Sequence, residues 1–266
     1  MRLAVLLGML LAALAARAQP VEEIVTVKRG SYTVSGLAMK GEKAHPKFGV
    51  ALFPGHPGIM KIRSQDGEAK FEMGGNFLIR SRRHWIDAET MVLSVDAPSD
   101  QWATFYQAWR ESARYGADIA ALVEEAGRKY GVEDWTFVGT SEGSVSAFHA
   151  ARMNPKLARR VILTSSVFEA SRNGPGLSRV DFGELRSRLL WVHHADDPCA
   201  YTPYRAAQAF AKKSNAPLVT VRGGGGWSGD VCQARTAHGF VGIEVPTVQA
   251  MRAWVKTGQV PNDVGP

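Results

Sequence analysis

Apolar residues in this chain gather in short continuous runs, and the stretches between them are richer in Ala, Leu, Glu and Lys. The runs are Phe48-Gly-Val-Ala-Leu-Phe53, Met91-Val-Leu-Ser-Val-Asp96, Trp135-Thr-Phe-Val-Gly139, Val161-Ile-Leu-Thr164, Leu189-Leu-Trp-Val-His-His194 and Leu218-Val-Thr-Val221. A run apolar on both faces suits a central strand of a parallel sheet with helices on each side. Helices are predicted over 76–86, 111–129, 144–152, 204–213 and 245–255; in the second, Ile119, Leu122 and Val123 share a face. Near the start, Glu23 to Lys28 and Ser31 to Met39 flank Arg29-Gly30 and predict an antiparallel hairpin at a sheet edge. Strands alternating with helices predict an α/β protein: one domain over 19–266, built on a doubly wound, mostly parallel sheet without repeats. Between Thr164 and Leu189 lie only about two dozen residues. That is too little for a full cap domain, so the sheet edge should stay open.

The ends and the charge narrow the setting. Residues 1–18 carry one early positive charge, an apolar stretch and Ala16-Arg17-Ala18, the pattern of a cleavable secretory signal peptide. A periplasmic or secreted protein is expected, without a stable membrane anchor. The formal net charge is +7, and loss of Arg2 and Arg17 with the leader brings it to +5. The densest basic cluster, Arg80, Arg82 and Arg83, reads as a solvated helix face rather than a stripe of basic and aromatic residues, which argues against a nucleic-acid partner. The two cysteines, Cys199 and Cys232, lack clustered histidine or carboxylate partners at ligand spacing, so no metal or cofactor is expected. In an exported protein they are expected to form a disulfide.

The chemistry centres on Gly139-Thr-Ser-Glu-Gly143, which follows an apolar strand and precedes a helix-compatible stretch. A serine hydroxyl becomes a useful nucleophile when a sharp turn holds it within reach of a base and beside backbone N–H donors; flanking glycines permit that turn. Asp197 follows the strand ending at His194, and His238 lies in a loop before the last helix. The order Ser141, Asp197, His238 is that of the α/β-hydrolase triad and differs from the chymotrypsin and subtilisin orders. Asp196 competes for the acid role, and the register His194-x-x-Asp197-Pro198 favours Asp197. His193 and His194 read as structural partners of the strand end. Cys199 lies close to Asp197 and Cys232 close to His238, so a bridge would tie the acid loop to the histidine loop.

Developing oxyanion charge requires preorganised N–H groups. One expected donor is the backbone N–H of Glu142; its carboxylate suits a helix start and could also bias the site against anionic substrates. The second should come from Pro54-Gly-His-Pro-Gly58, where Pro57 has no N–H. This segment resembles the H-G-G-P-G loop of proline iminopeptidase-type hydrolases, which implies the backbone N–H of His56 as the donor. Trp227 reads equally as a pocket wall or as part of a surface loop.

On these residues the chain resembles the α/β-hydrolase superfamily over its mature length. It is similar to exported bacterial members that combine N-F-L-x-R-S-R, V-D-A-P-S-D, G-T-S-x-G, H-H-x-x-D-x-C and A-H-G-F, here at 76–82, 95–100, 139–143, 193–199 and 237–240. The resemblance implies a serine hydrolase acting on a small-molecule carboxylic ester through an acyl-enzyme. A small-peptide or amide hydrolase is the alternative suggested by the oxyanion loop. A binding protein on a hydrolase fold is a third reading, weakened by the filled triad positions.

Overall fold

A computed structural model describes residues 20–266, so the expected leader lies outside the described residues. β1 (Pro20–Arg29) and β2 (Tyr32–Gly41) form the N-terminal antiparallel hairpin, and β3 (Phe48–Phe53) begins the parallel part. β4 (Arg63–Gln65) and β5 (Glu68–Lys70) make a separate two-stranded ribbon. β6 (Thr90–Val95), β7 (Asp134–Thr140), β8 (Ala158–Thr164), β9 (Leu189–His194) and β10 (Leu218–Val221) complete an eight-stranded sheet in the order β1-β2-β6-β3-β7-β8-β9-β10. β2 runs antiparallel to β6; from β6 to β10 all pairings are parallel.

Among the described residues six helices flank this sheet: α1 (Phe77–Ser81), α2 (Gln107–Arg110), α3 (Ala113–Tyr130), α4 (Glu142–Met153), α5 (Tyr204–Ser214) and α6 (Glu244–Thr257). Alternate residues of each central strand serve opposite faces. Ala51, Leu93 and Phe137 join Ile119, Leu122 and Phe148 of α3 and α4 in one core. Leu52, Val92, Val138 and Val192 join Val248, Met251 and Trp254 of α6 in the other. Two-sided burial is why these strands read as unbroken apolar runs.

The helix expected from 111 begins after a break. Glu111 and Ser112 separate α2 from α3, because the Ser112 hydroxyl accepts the N–H of Tyr115 and caps a new helix. The helix expected over 76–86 is shorter, with a single 3₁₀ turn over Arg82–His84 after α1. The basic cluster also differs from a solvated face. Arg80 pairs with Glu244 at 2.9 Å and donates to the Gly239 carbonyl, and Arg82 pairs with Glu22 at 2.7 Å, leaving Arg83 exposed. Tertiary folding brings carboxylates from α6 and β1 beside two of the three arginines. Residues 165–188 form no cap; Phe168, Leu177, Phe182 and Leu185 turn inward and pack into the core beside α4.

Candidate active site

Ser141 sits between β7 and α4 with φ 52° and ψ −128°, a conformation uncommon for a side-chain-bearing residue. Its neighbours explain how the turn closes. A Cβ on Gly139 would lie 2.2 Å from the Gly143 carbonyl oxygen, and one on Gly143 would lie 2.0 Å from that of Phe53. Both positions therefore require glycine. The Ser141 N–H donates to the Thr164 carbonyl (3.1 Å) and its carbonyl accepts from Ser144 N–H (2.9 Å), fixing the turn from both sides.

The acid and the imidazole approach from the other direction. His238 lies in a 3₁₀ turn (Ala237–Gly239), and its Nδ1 stands 3.0 Å from Asp197 Oδ2. An Nδ1–H donated to the carboxylate leaves Nε2 as the nitrogen able to take a proton. Burial alone would push the Asp197 carboxyl up. The hydrogen bond from His238, helped by the Cys199 N–H and the Thr202 hydroxyl, outweighs it and holds the carboxyl below its ordinary value. Thr202 Oγ1 is 2.8 Å from Asp197 Oδ2 and 3.1 Å from His238 Nδ1. Asp196 is exposed and its backbone N–H donates to His194 Nδ1. His194 Nε2 then donates to the Gly223 carbonyl, while His193 Nε2 accepts the N–H of Ser166. Burial pushes His193 down to about 3, so it is a neutral structural acceptor.

Cys199 and Cys232 form a disulfide that joins the Asp197 loop to the loop leading to His238. A cavity of about 420 Å³ opens between the loop leading to His238 and the Pro54–Gly58 segment, lined among others by Ser141, His238, His56, Asn76, Gln233 and Arg235. Trp227 does not line it; the side chain is 46% exposed and meets the edge of the His194 ring.

The Pro54–Gly58 segment and its continuation to Ile62 are anchored from beneath. Asp96 accepts the N–H groups of Met60 (2.6 Å), Ile62 (2.9 Å) and Ala97 (2.8 Å), and burial pushes its carboxyl up to about 6 despite them. Glu142 starts α4 and its carboxylate does not stand alone. Oε2 lies 3.6 Å from Nε of the buried Arg110, and Oε1 accepts from Asn173 at 2.5 Å. That pairing removes the basis for an anion-repelling role. Thr202, Arg110 and Asn173 carry no sequence motif, and only tertiary proximity reveals them. Among the described residues no group of three His, Cys, Asp or Glu side chains gathers as a metal site.

The sheet order, the elbow and the placement of these residues make this an α/β-hydrolase fold. Solved structures with that fold superimpose over most of the chain at low identity. A cold-adapted esterase from an Arctic intertidal metagenomic library aligns with a TM-score of 0.58 and 13% identity, over 89% of this chain and 95% of its own. Est1E from Butyrivibrio proteoclasticus aligns with a TM-score of 0.57 and 14% identity, over 87% and 96%. An α/β serine hydrolase without lid from Xanthomonas campestris gives 0.55 and 10%, over 89% and 93%. No protein-family model and no curated protein sequence matches the chain.

Proposed function

We propose that this protein is an exported serine hydrolase that cleaves small carboxylic esters through an acyl-enzyme. The observation that carries the proposal is the convergence on one cavity of Ser141, held on a strained elbow, and His238, hydrogen-bonded to Asp197. In the reaction His238 Nε2 takes the proton of Ser141 Oγ as the oxygen attacks the ester carbonyl. The tetrahedral oxyanion is met by the backbone N–H groups of Glu142 and His56. Collapse breaks the bond to the alkoxy oxygen, and the proton on His238 passes to it, releasing the alcohol. Water, deprotonated by the same imidazole, then attacks the acyl-enzyme and frees the acid and Ser141. A cavity of about 420 Å³ without a cap suits a short ester rather than a long chain enclosed by a lid. The disulfide supports export to an oxidising compartment, with residues 1–18 as the signal peptide and 19–266 as the single mature domain.

A fluorophosphonate probe tests the nucleophile, and p-nitrophenyl esters of graded chain length, beside aminoacyl-anilides, test the substrate class. Labelling of the wild type that is lost in Ser141→Ala, with turnover of short esters, is the expected result. Turnover of anilides without esters would replace the ester reading by an amide one.

A further inference from the structure

We infer that Arg110 is a positioning residue that sets the spacing between the two halves of the oxyanion hole; this rests on the proposed assignment of that hole to the N–H groups of His56 and Glu142. Arg110 ends α2 and is 1% exposed, and a guanidinium taken out of water is costly unless its donors are answered. Its partners lie on two separate pieces of chain. Nη2 donates to the carbonyl of Pro57 at 2.9 Å, one residue from His56. Nη1 donates to Ser146 Oγ at 2.8 Å and Nε lies 3.6 Å from the Glu142 carboxylate, both on the first turns of α4. Nε itself has no hydrogen-bond partner, so this contact is electrostatic.

The surroundings are shaped to this group. The guanidinium carbon lies 4.3 Å from the centre of the Phe105 ring, which supports a cation from one face. Gly58 folds over it with φ 74°, and a Cβ there would fall 2.9 Å from Nη2. A simple core filler would need neither the Pro57 carbonyl nor Glu142, and an apolar side chain would leave the carbonyl unpaired and the carboxylate without its cation. Through these contacts the planar group fixes the distance from the Pro54–Gly58 segment to the N-terminus of α4. Hydrogen bonds to an oxyanion depend steeply on that distance. Arg110 touches no substrate and transfers no proton.

Arg110→Met and Arg110→Lys test the role, with kcat, KM and the pH dependence of kcat/KM measured on p-nitrophenyl acetate below the melting temperature. In folded Arg110→Met, kcat is expected to fall by about 10- to 100-fold, with KM within about twofold and the pH profile unmoved. Arg110→Lys should recover part of the loss, because one ammonium reaches Pro57 or Glu142 but does not bridge them. A folded Arg110→Met with kcat within about threefold of wild type overturns the inference. So does a loss that appears in KM, or as a displaced pH profile, since either would mean general disturbance of the site. If both variants fail to fold, Ser146→Ala and Glu142→Gln each remove one anchor and retain Arg110. Each should then lower kcat by about 3- to 10-fold at constant KM, and wild-type kcat in both overturns the role. A wild type that neither takes the fluorophosphonate label nor hydrolyses esters removes the hydrolase reading and this inference with it. A labelled, active wild type beside indifferent Arg110 variants removes the inference alone.

Discussion

Ser141 and His238 face the same cavity from two different kinds of scaffold. The serine stands at the centre of the sheet, where β7 enters α4 and the glycines at 139 and 143 leave no room for a side chain. The histidine and its aspartate stand in loops beyond β10 and β9, near one edge of the sheet. The segment leading to His238 includes Gly223 to Gly226, all at positive φ, and is exposed from 224 to 231. Core packing suffices to hold the first half. The second is packed at Ala237, His238 and Phe240, but the stretch leading to them is exposed, and there a covalent bond ties the chain to the Asp197 loop.

Breaking either half at its reacting group should have the largest effect. Ser141→Ala is expected to abolish ester hydrolysis and leave the melting temperature unchanged, because the turn is set by backbone and glycine; fluorophosphonate labelling persisting in this variant would place the nucleophile elsewhere. On the other side, Asp197→Asn should cost on the order of 10³- to 10⁴-fold in kcat through the wrong imidazole tautomer. Asp196→Asn should stay within about twofold, as that residue is exposed and contributes a backbone contact. Equal losses in the two variants would mean that His238 pairs differently in solution.

Each apolar run marks a strand of the parallel part, though β6, β7 and β8 differ from their runs by one to three residues at an end. The runs at 48–53, 189–194 and 218–221 are β3, β9 and β10 with the same ends. The α2–α3 break was not legible, because Ser112 acts as a cap only once the chain turns there. The turn that holds Ser141 is local, so its residues stand together in sequence. Thr202 and Arg110 were invisible for the opposite reason. Thr202 reaches a histidine 36 positions away and Arg110 a carbonyl 53 positions away, and no spacing announces such contacts. The arginine cluster departs from a solvated face on the same ground, since Arg80 finds its carboxylate 164 positions downstream.

The covalent tie offers the next test of the contrast. Cys199 and Cys232 are separated by 33 positions, and opening their bridge should lower stability by about 3–4 kcal/mol in the chain-entropy account. If the bond also holds Asp197 against His238, the reduced protein, assayed below its melting temperature, should show kcat lower by about tenfold or more. The nucleophile half should be untouched. Full kcat in a folded Cys199→Ser variant would show that the loops hold their geometry without the bond, and would erase the distinction drawn between the two scaffolds.

The smallest expected effect compares buried imidazoles in the two halves. His149 lies on α4 with neither ring nitrogen hydrogen-bonded, and burial, with a lesser push from Arg152, brings it down to about 4. His193, beneath the acid loop, is brought down to about 3 by burial. The folded state therefore binds fewer protons than the unfolded chain below the ordinary imidazole value of about 6.5, and each histidine removes stability as pH falls through that window. Asp96 acts with the opposite sign. Raised to about 6 by burial, it takes up its proton in the folded state first, so acidification through that value adds stability. From pH 6 to pH 5 each group contributes about 1 kcal/mol, and two losses against one gain leave a net loss of about 1 kcal/mol. His149→Phe keeps an aromatic ring in the same place and removes one titration, so its stability should be nearly flat over that interval. Urea unfolding at the two pH values reads the difference directly. A variant as steep as wild type would mean that α4 opens enough to let His149 charge, and that the nucleophile half is less rigid than its glycine packing implies.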